Sequence, residues 1–251
     1  MVWSRWSDVG LRCLSAVTFL VLWQAAAGAA ASPLLPGPAA VAAALVDLAL
    51  HGRLIADLGI TLLRVALSFA LAMALGSAIG ILMGHSRRVD GLFDLWLVLG
   101  LNIPALVLIF LCYLWLGLTE VAAIVAVALN KVPNTAVILR EGARTVDREL
   151  LQVADVLKLT RGRRLSEVYL PQLYPYFMAA SRSGLSLIWK IVLVVELVGR
   201  SNGVGFQLGV YFQFFDITHI LAYTASFVAV VLVIEGLALR PLERRLMRWR
   251  A

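Results

Sequence analysis

Three ionisable side chains stand deep inside apolar stretches of this chain: Lys131, Lys190 and Glu196. A fourth, Arg64, sits near the start of another. An ionisable group at the centre of a membrane helix costs roughly 2.5–3.5 kcal/mol on insertion scales, so each asks for a partner or a task. The chemistry open to isolated cations and amides in such a setting is binding: attraction of an anion, or the lining of a polar path. Lys131 lies in the run ALNKVPNT with Asn130, Pro133 and Asn134. There the proline frees a carbonyl, and the asparagines either re-satisfy it or line a cavity. Asn102, before Ile103-Pro104, has the same two readings. Lys190 and Glu196 are six residues apart, which puts them about 120° apart on a helix, so they are not a same-face pair. The candidates for a solute pathway are Asn102, Asn130, Lys131, Asn134, Trp189, Lys190 and Glu196. Against that stand structural readings: interhelical pairing for the lysines and amides, an interface anchor for Trp115 and Trp189, a gate or subunit contact for Glu196, and snorkelling for Arg64.

Bond-making chemistry finds no support. His51, His85 and His219 share no spacing. Cys13 and Cys112 lie in apolar runs without metal-ligand spacing and read as small hydrophobes. The expectation is no catalytic residue, no metal site and no cofactor.

The elements that must hold these groups are membrane helices. The chain is 61% hydrophobic and 15% charged, with mean hydropathy +0.90. Soluble domains are about 45–50% apolar and about 25% charged. Six stretches approach the ~20 residues needed to span a bilayer: roughly 11–31, 60–84, 92–116, 119–138, 183–199 and 218–239. The first has a basic start and ends in AAAGAAAS, which fits a signal peptide, but it is read as a retained helix. After SPLLPGP, the residues Val41, Leu45, Leu48 and Leu54/Ile55 recur at helical spacing and predict a helix along the membrane interface. Gly76, Gly80 and Gly84 make a small-residue stripe suited to close helix packing.

Net charge is +7. With no aromatic-basic stripe, nucleic acid is not an expected partner, and the question becomes which side of the bilayer holds the basic residues. With the N-terminus inside, one side collects Arg5, Arg12, Arg87 and Arg88, the long insert of residues 139–182 and the tail with Arg240, Arg244, Arg245, Arg248 and Arg250. Only Arg53 and Arg200 fall outside. The bias predicts a multi-pass membrane protein with an even number of spans and both termini cytoplasmic.

The insert is polar and basic, with Arg140, Arg144, Arg148, Lys158, Arg161, Arg163, Arg164 and Arg182. Thr145-Val146-Asp147 offers a helix cap, and Leu150, Leu151, Ala154 and Leu157 follow on one face, with Asp155 and Lys158 off it. Thr160-Arg161-Gly162 reads as a turn. A second short helix would carry Leu165, Val168 and Tyr169 until Pro171 stops it. Two short amphipathic helices at a turn make a docking surface over 145–171.

Segment 152–171 resembles the EAA loop of the permease subunits of bacterial ABC importers. That pattern is Glu-Ala-Ala, three residues, Gly, nine residues, an aliphatic residue, any residue, Leu-Pro. Gln152-Val153-Ala154 stands at its start, Lys158 at its glycine and Val168-Tyr169-Leu170-Pro171 at its end. Gln152 and Val153 depart mildly, and Lys158 departs more, with Gly162 expected to supply the turn. Leu35-Pro36-Gly37-Pro38, Thr61-Leu62-Leu63-Arg64-Val65, Ile103-Pro104, Trp115-Leu116-Gly117 and Glu196 with Gly203-Val204-Gly205 resemble further motifs in order. Together they are similar to the nitrate, sulfonate and taurine branch.

The resemblance implies an all-α, type I importer permease with about six transmembrane helices and cytoplasmic coupling helices. It implies a single membrane domain, a second copy of the chain, two ATPase subunits and an extracytoplasmic solute-binding protein. ATP and Mg would be bound by the ATPase. The coupling residues would be Gln152, Val153, Ala154, Asp155, Lys158, Gly162, Val168, Leu170 and Pro171. The cargo would be a small anion. The alternative, an ATP-independent carrier or channel, predicts inverted repeats, and the two halves show no convincing one.

Overall fold

A computed structural model describes residues 3–30, 32–239 and 241. The side chains of Arg5, Arg12 and Cys13, and the basic tail residues Arg240, Arg244, Arg245, Arg248 and Arg250, lie outside what is described. The described residues form helices α1 (Trp3–Ala30), α2 (Pro38–Leu50), α3 (Leu54–His85), α4 (Arg87–Asn102), α5 (Ala105–Leu116), α6 (Glu120–Arg144) and α7 (Arg148–Val156). They continue with α8 (Arg161–Gly199), α9 (Val204–Gln213) and α10 (Ile217–Ile234). Helices α3, α6, α8 and α10 are long and apolar enough to cross a membrane, and α4 with α5 makes a fifth if counted as one broken span. The apolar part of α1 is the shorter Leu14–Ala30.

The core is the α3–α6 contact. Lipid is as apolar as leucine, so leucines gain nothing by facing inward, and small residues that let backbones approach take the interface. Along α3 the buried positions include Thr61, Val65, Ser68, Ala72, Gly76 and Gly80, while Leu63, Leu67, Leu75 and Leu82 face outward. A Cβ on Gly76 would lie 2.6 Å from Thr135 Cβ, and one on Gly80 only 2.3 Å from the Ala136 carbonyl oxygen. One on Gly84 would lie 2.5 Å from Ala143 Cβ. On the opposing side α6 is alanine-rich, with Ala122, Ala123, Ala126, Ala128 and Ala136 buried. Pro133 sits inside α6 without breaking it.

The expected third span is not one helix. α4 and α5 meet at 101° across Ile103-Pro104. Pro104 disfavours helical backbone at Ile103, which is extended at φ −70° and ψ 124°. The amide of Asn102 donates back to the Val98 carbonyl at 2.7 Å and ends α4. A window of hydropathy averages over this break.

Two further expectations are corrected. α2 ends at Leu50, with Val41 and Leu48 buried, and packs against α10 more than any other helix; Leu54 and Ile55 belong to α3, where Leu54 is buried and Ile55 exposed. Pro171 does not stop a helix. The chain runs from Arg161 to Gly199 as one helix, widened to a π-turn at Arg164–Tyr169. A proline removes one N–H and crowds the carbonyl four residues back. The wider turn makes room for it, and the Gln172 amide donates to the Val168 carbonyl at 2.9 Å.

Gly80→Ala is expected to destabilise the protein by about 1–3 kcal/mol, because the obstructing atom is a backbone carbonyl with nowhere to go. Thermal unfolding in detergent reads this. Gly59→Ala, where nothing lies within 4 Å of the added carbon, should match the parent.

Candidate functional site

The coupling segment is built from local signals. Asp147 caps α7, its carboxylate accepting from the Glu149 N–H at 2.7 Å and the Leu150 N–H at 3.4 Å. Ala154 is the buried residue of α7. Leu150, Val153, Val156 and Leu157 are exposed, an apolar strip left uncovered by the described residues. Beneath it lies a small apolar pocket of about 320 Å³ between α7 and the π-turn, bordered by Ala154, Val168 and Pro171.

The turn falls at Lys158. Its φ is +50°, the left-handed region, while Gly162 is an ordinary helical residue at the start of α8. The Lys158 N–H bonds the Asp155 carbonyl at 3.0 Å and the Leu159 N–H bonds the Ala154 carbonyl at 3.1 Å. That pair is a Schellman cap, whose left-handed residue is usually glycine. The expectation that Gly162 supplies the turn is therefore overturned. Lys158 occupies the glycine's conformation as well as its register, with the steric penalty of a Cβ. Asp155 receives an ion pair from Arg164 at 2.7 Å, closing the loop.

The mid-span candidates separate. Lys131 is 1% exposed. Its ammonium donates to Asn134 Oδ1 at 2.5 Å and to Ser183 Oγ at 3.3 Å, both neutral. Gly184 clears room for it, since a Cβ there would lie 3.0 Å from Lys131 Cε. Arg182, Ser183, Ser186, Trp189, Lys190 and the carboxylate of Glu235 border an open, largely apolar groove of about 830 Å³ between α8 and α10. Lys190 is exposed in this groove, and Trp189 is mostly buried, edge-on against Phe227 at 5.8 Å. Asn130 is half-buried in α6, and Asn102 is exposed at the α4–α5 break, away from this constellation.

Glu196 belongs to a second cluster at the opposite end from the coupling segment, and that cluster brings Arg64 in from the lipid. Arg64 is 2% exposed, so it does not snorkel. Its five donors are all used. Nε and Nη2 grip Glu120 at 2.8 and 2.7 Å, Nη1 reaches Glu196 at 2.6 Å and the Asn202 carbonyl at 3.0 Å, and Nη2 also meets Asn202 Oδ1. Arg200 pairs with the same Glu120. Glu196 is wholly buried and also accepts from Thr61 Oγ1 at 2.9 Å and the Gly205 N–H at 2.8 Å. Asp57 accepts from the Gly203 N–H at 3.0 Å and from Tyr223 at 3.1 Å. The Gly-x-Gly spacing now has a cause. Gly203 has φ +102°, and a Cβ there would lie 2.5 Å from Glu196 Oε1. One on Gly205 would lie 2.2 Å from the Leu193 carbonyl. Sequence reasoning missed Asp57, Glu120, Asn202 and Tyr223, and it placed Thr61 in a motif with Arg64 without giving it a role. The only signal was that Glu120, Asp57 and Arg200 flank apolar runs.

A family model described as binding-protein-dependent transport system inner membrane component matches residues 76–246. Among curated proteins, the chain is 34% identical over 233 residues to a Bacillus subtilis protein bearing the name aliphatic sulfonates transport permease SsuC, covering 92% of this chain and 84% of that one. It is 30% identical over 240 residues to the taurine transport system permease protein TauC of Escherichia coli, covering 93% and 87%. A solved amino acid ABC transporter with histidines shares the fold, at TM-score 0.59 and 22% identity over 76% of this chain and 93% of that one.

Two outcomes are expected. Lys158→Gly should relieve the left-handed strain and stabilise the chain by about 1 kcal/mol, read as a higher unfolding midpoint. Glu196→Ala should cost about 3–5 kcal/mol by leaving Arg64 and Arg200 to share the one carboxylate of Glu120. Combining it with Arg64→Met should cost less than the two singly added, because the Arg200–Glu120 pair remains balanced.

Proposed function

This chain belongs to the binding-protein-dependent transport system inner membrane components, and we propose that the solute it carries is a small anion of the sulfonate class. It is the membrane-spanning permease subunit of an ATP-driven importer, not an enzyme, and its ATPase and solute-binding protein are separate partners. In the arrangement proposed, two copies of the chain flank one pathway, both termini and α7 face the cytoplasm, and an ATPase subunit holds each coupling segment. ATP and Mg would then be bound only by the ATPases.

The observation that carries the anion reading is Lys131. A cation sealed in a membrane core normally faces a carboxylate; among the described residues this one has only Asn134 and Ser183. Burying a charge without a counter-ion costs several kcal/mol, and an arriving anion offsets that cost. Ser183 bridges Lys131 to the groove that also holds Lys190. An anion entering the groove would meet the serine hydroxyls and Lys190 first, with Lys131 behind them. The names of two relatives, for aliphatic sulfonates and taurine, supply the class.

Reconstitution with the cognate ATPase and binding protein tests the reading. Uptake of a labelled alkanesulfonate should require ATP. Lys131→Met should lower that uptake at least about tenfold, the effect of losing about 1.4 kcal/mol of anion stabilisation, with ATPase subunits still bound. Equal uptake of an uncharged solute of the same size by the parent would exclude the anion reading and leave the permease role standing.

A further inference from the structure

A second cleft, of about 800 Å³, opens at the coupling end between α7 and the α3–α4 turn. Four arginines line it: Arg87 from the start of α4, Arg144 from the end of α6, Arg148 from α7 and Arg164 from the π-turn. Its carboxylates are Asp90 and Asp155. Each already has an arginine: Arg144 pairs with Asp90 at 2.5 Å and Arg164 with Asp155 at 2.7 Å. Arg140, next to the cleft, is a second partner of Asp90 at 3.4 Å. Arg87 and Arg148 form no ion pair among the described residues. The cleft therefore presents two uncommitted guanidinium groups, with Gln152 and Tyr169 as neutral polar groups beside them.

We propose that this cleft binds a phosphate group, as carried by an anionic phospholipid of the inner leaflet or by a soluble organic phosphate. Guanidinium groups match phosphate oxygens in a planar two-point grip, so arginines in this number favour phosphate over a simple halide. Position favours the lipid as source. Met83 and Gly84 at the end of α3 and Ala143 at the end of α6 form the cleft's membrane-side wall. In the orientation proposed above that wall lies at the inner headgroup level, where basic pockets between helices hold anionic headgroups. An occupant would touch Arg148 on α7 and Arg87 on α4 together, tying the coupling helix to the membrane helices. This site is distinct from the α8–α10 groove and does not depend on the identity of the solute.

The test uses the assembled importer, delipidated in detergent and titrated by native mass spectrometry. Phosphatidylglycerol should bind in preference to phosphatidylcholine, with at least one site per permease chain. The double variant Arg87→Gln/Arg148→Gln leaves the Arg144–Asp90 and Arg164–Asp155 pairs in place, so the fold is kept. It should weaken phosphatidylglycerol binding about tenfold or more. Displacement by millimolar glycerol phosphate would make a soluble phosphate the source, and no displacement would make it the lipid; both support the site. Unchanged phosphatidylglycerol binding in the double variant overturns it. So does loss of the ATPase with lipid binding intact, which would mean that the cleft receives an acidic face of that subunit.

Discussion

Arg64 is the junction on which the rest of the structure depends. A guanidinium in hydrocarbon must have its donors met by protein, because no water will do it. Meeting them brings four segments to one point: α3, which carries Arg64; the start of α6, which carries Glu120; the end of α8, which carries Glu196; and the turn before α9, which supplies Asn202. Polar interactions of this kind are a poor source of net stability, since desolvation takes back most of the gain. Their value is geometric. Any other register of α3 against α8 would strand a buried charge, so the cluster fixes one arrangement among helices whose apolar surfaces alone discriminate little. Asp57 extends the same logic to α10 through Tyr223.

That junction is joined to the coupling segment by a single element. α8 has 39 residues, about 58 Å at 1.5 Å per residue. It begins next to the Lys158 turn and ends at Gly199, just past Glu196. A displacement applied to α7 is thus delivered to a helix whose far end is clamped by charge pairs and whose middle carries Ser183 and Lys190. The π-turn at Arg164–Tyr169 and Pro175 lie near its coupling end. Interruptions of helix regularity concentrate where helices bend, and in this helix they are grouped at the end beside α7.

Much of this was legible in the sequence and some was not, for physical reasons. Helical class and the coupling register follow from hydropathy and from the Ala154 to Pro171 spacing. The turn at Lys158 was readable in register yet misassigned, because a propensity argument prefers Gly162, and the Schellman hydrogen bonds outweigh one strained residue. Pro171 was misread because the rule that proline stops a helix is local, while a π-turn several residues earlier absorbs the clash. Ile103-Pro104 carried the break in the third span openly, and averaging hydropathy across it hid the bend. Arg64 and Glu196 are 132 residues apart. Nothing in either neighbourhood names the other, so the cluster could only be seen in three dimensions.

The chain buries two cations in its membrane core and treats them oppositely. Arg64 has two carboxylates and no donor to spare, so it is closed to any ligand. Lys131 has an amide oxygen and a hydroxyl, which satisfy hydrogen bonds without cancelling charge. If both were only structural, a carboxylate near Lys131 would be the cheaper solution, and α3 and α6 already show that this fold can place one. In the anion reading proposed above, a lysine without a carboxylate partner would offer a positive charge beside the groove between α8 and α10, which Glu235 also borders. That is what an anion pathway requires at its middle, where binding must be strong enough to draw the solute in and weak enough to let it leave.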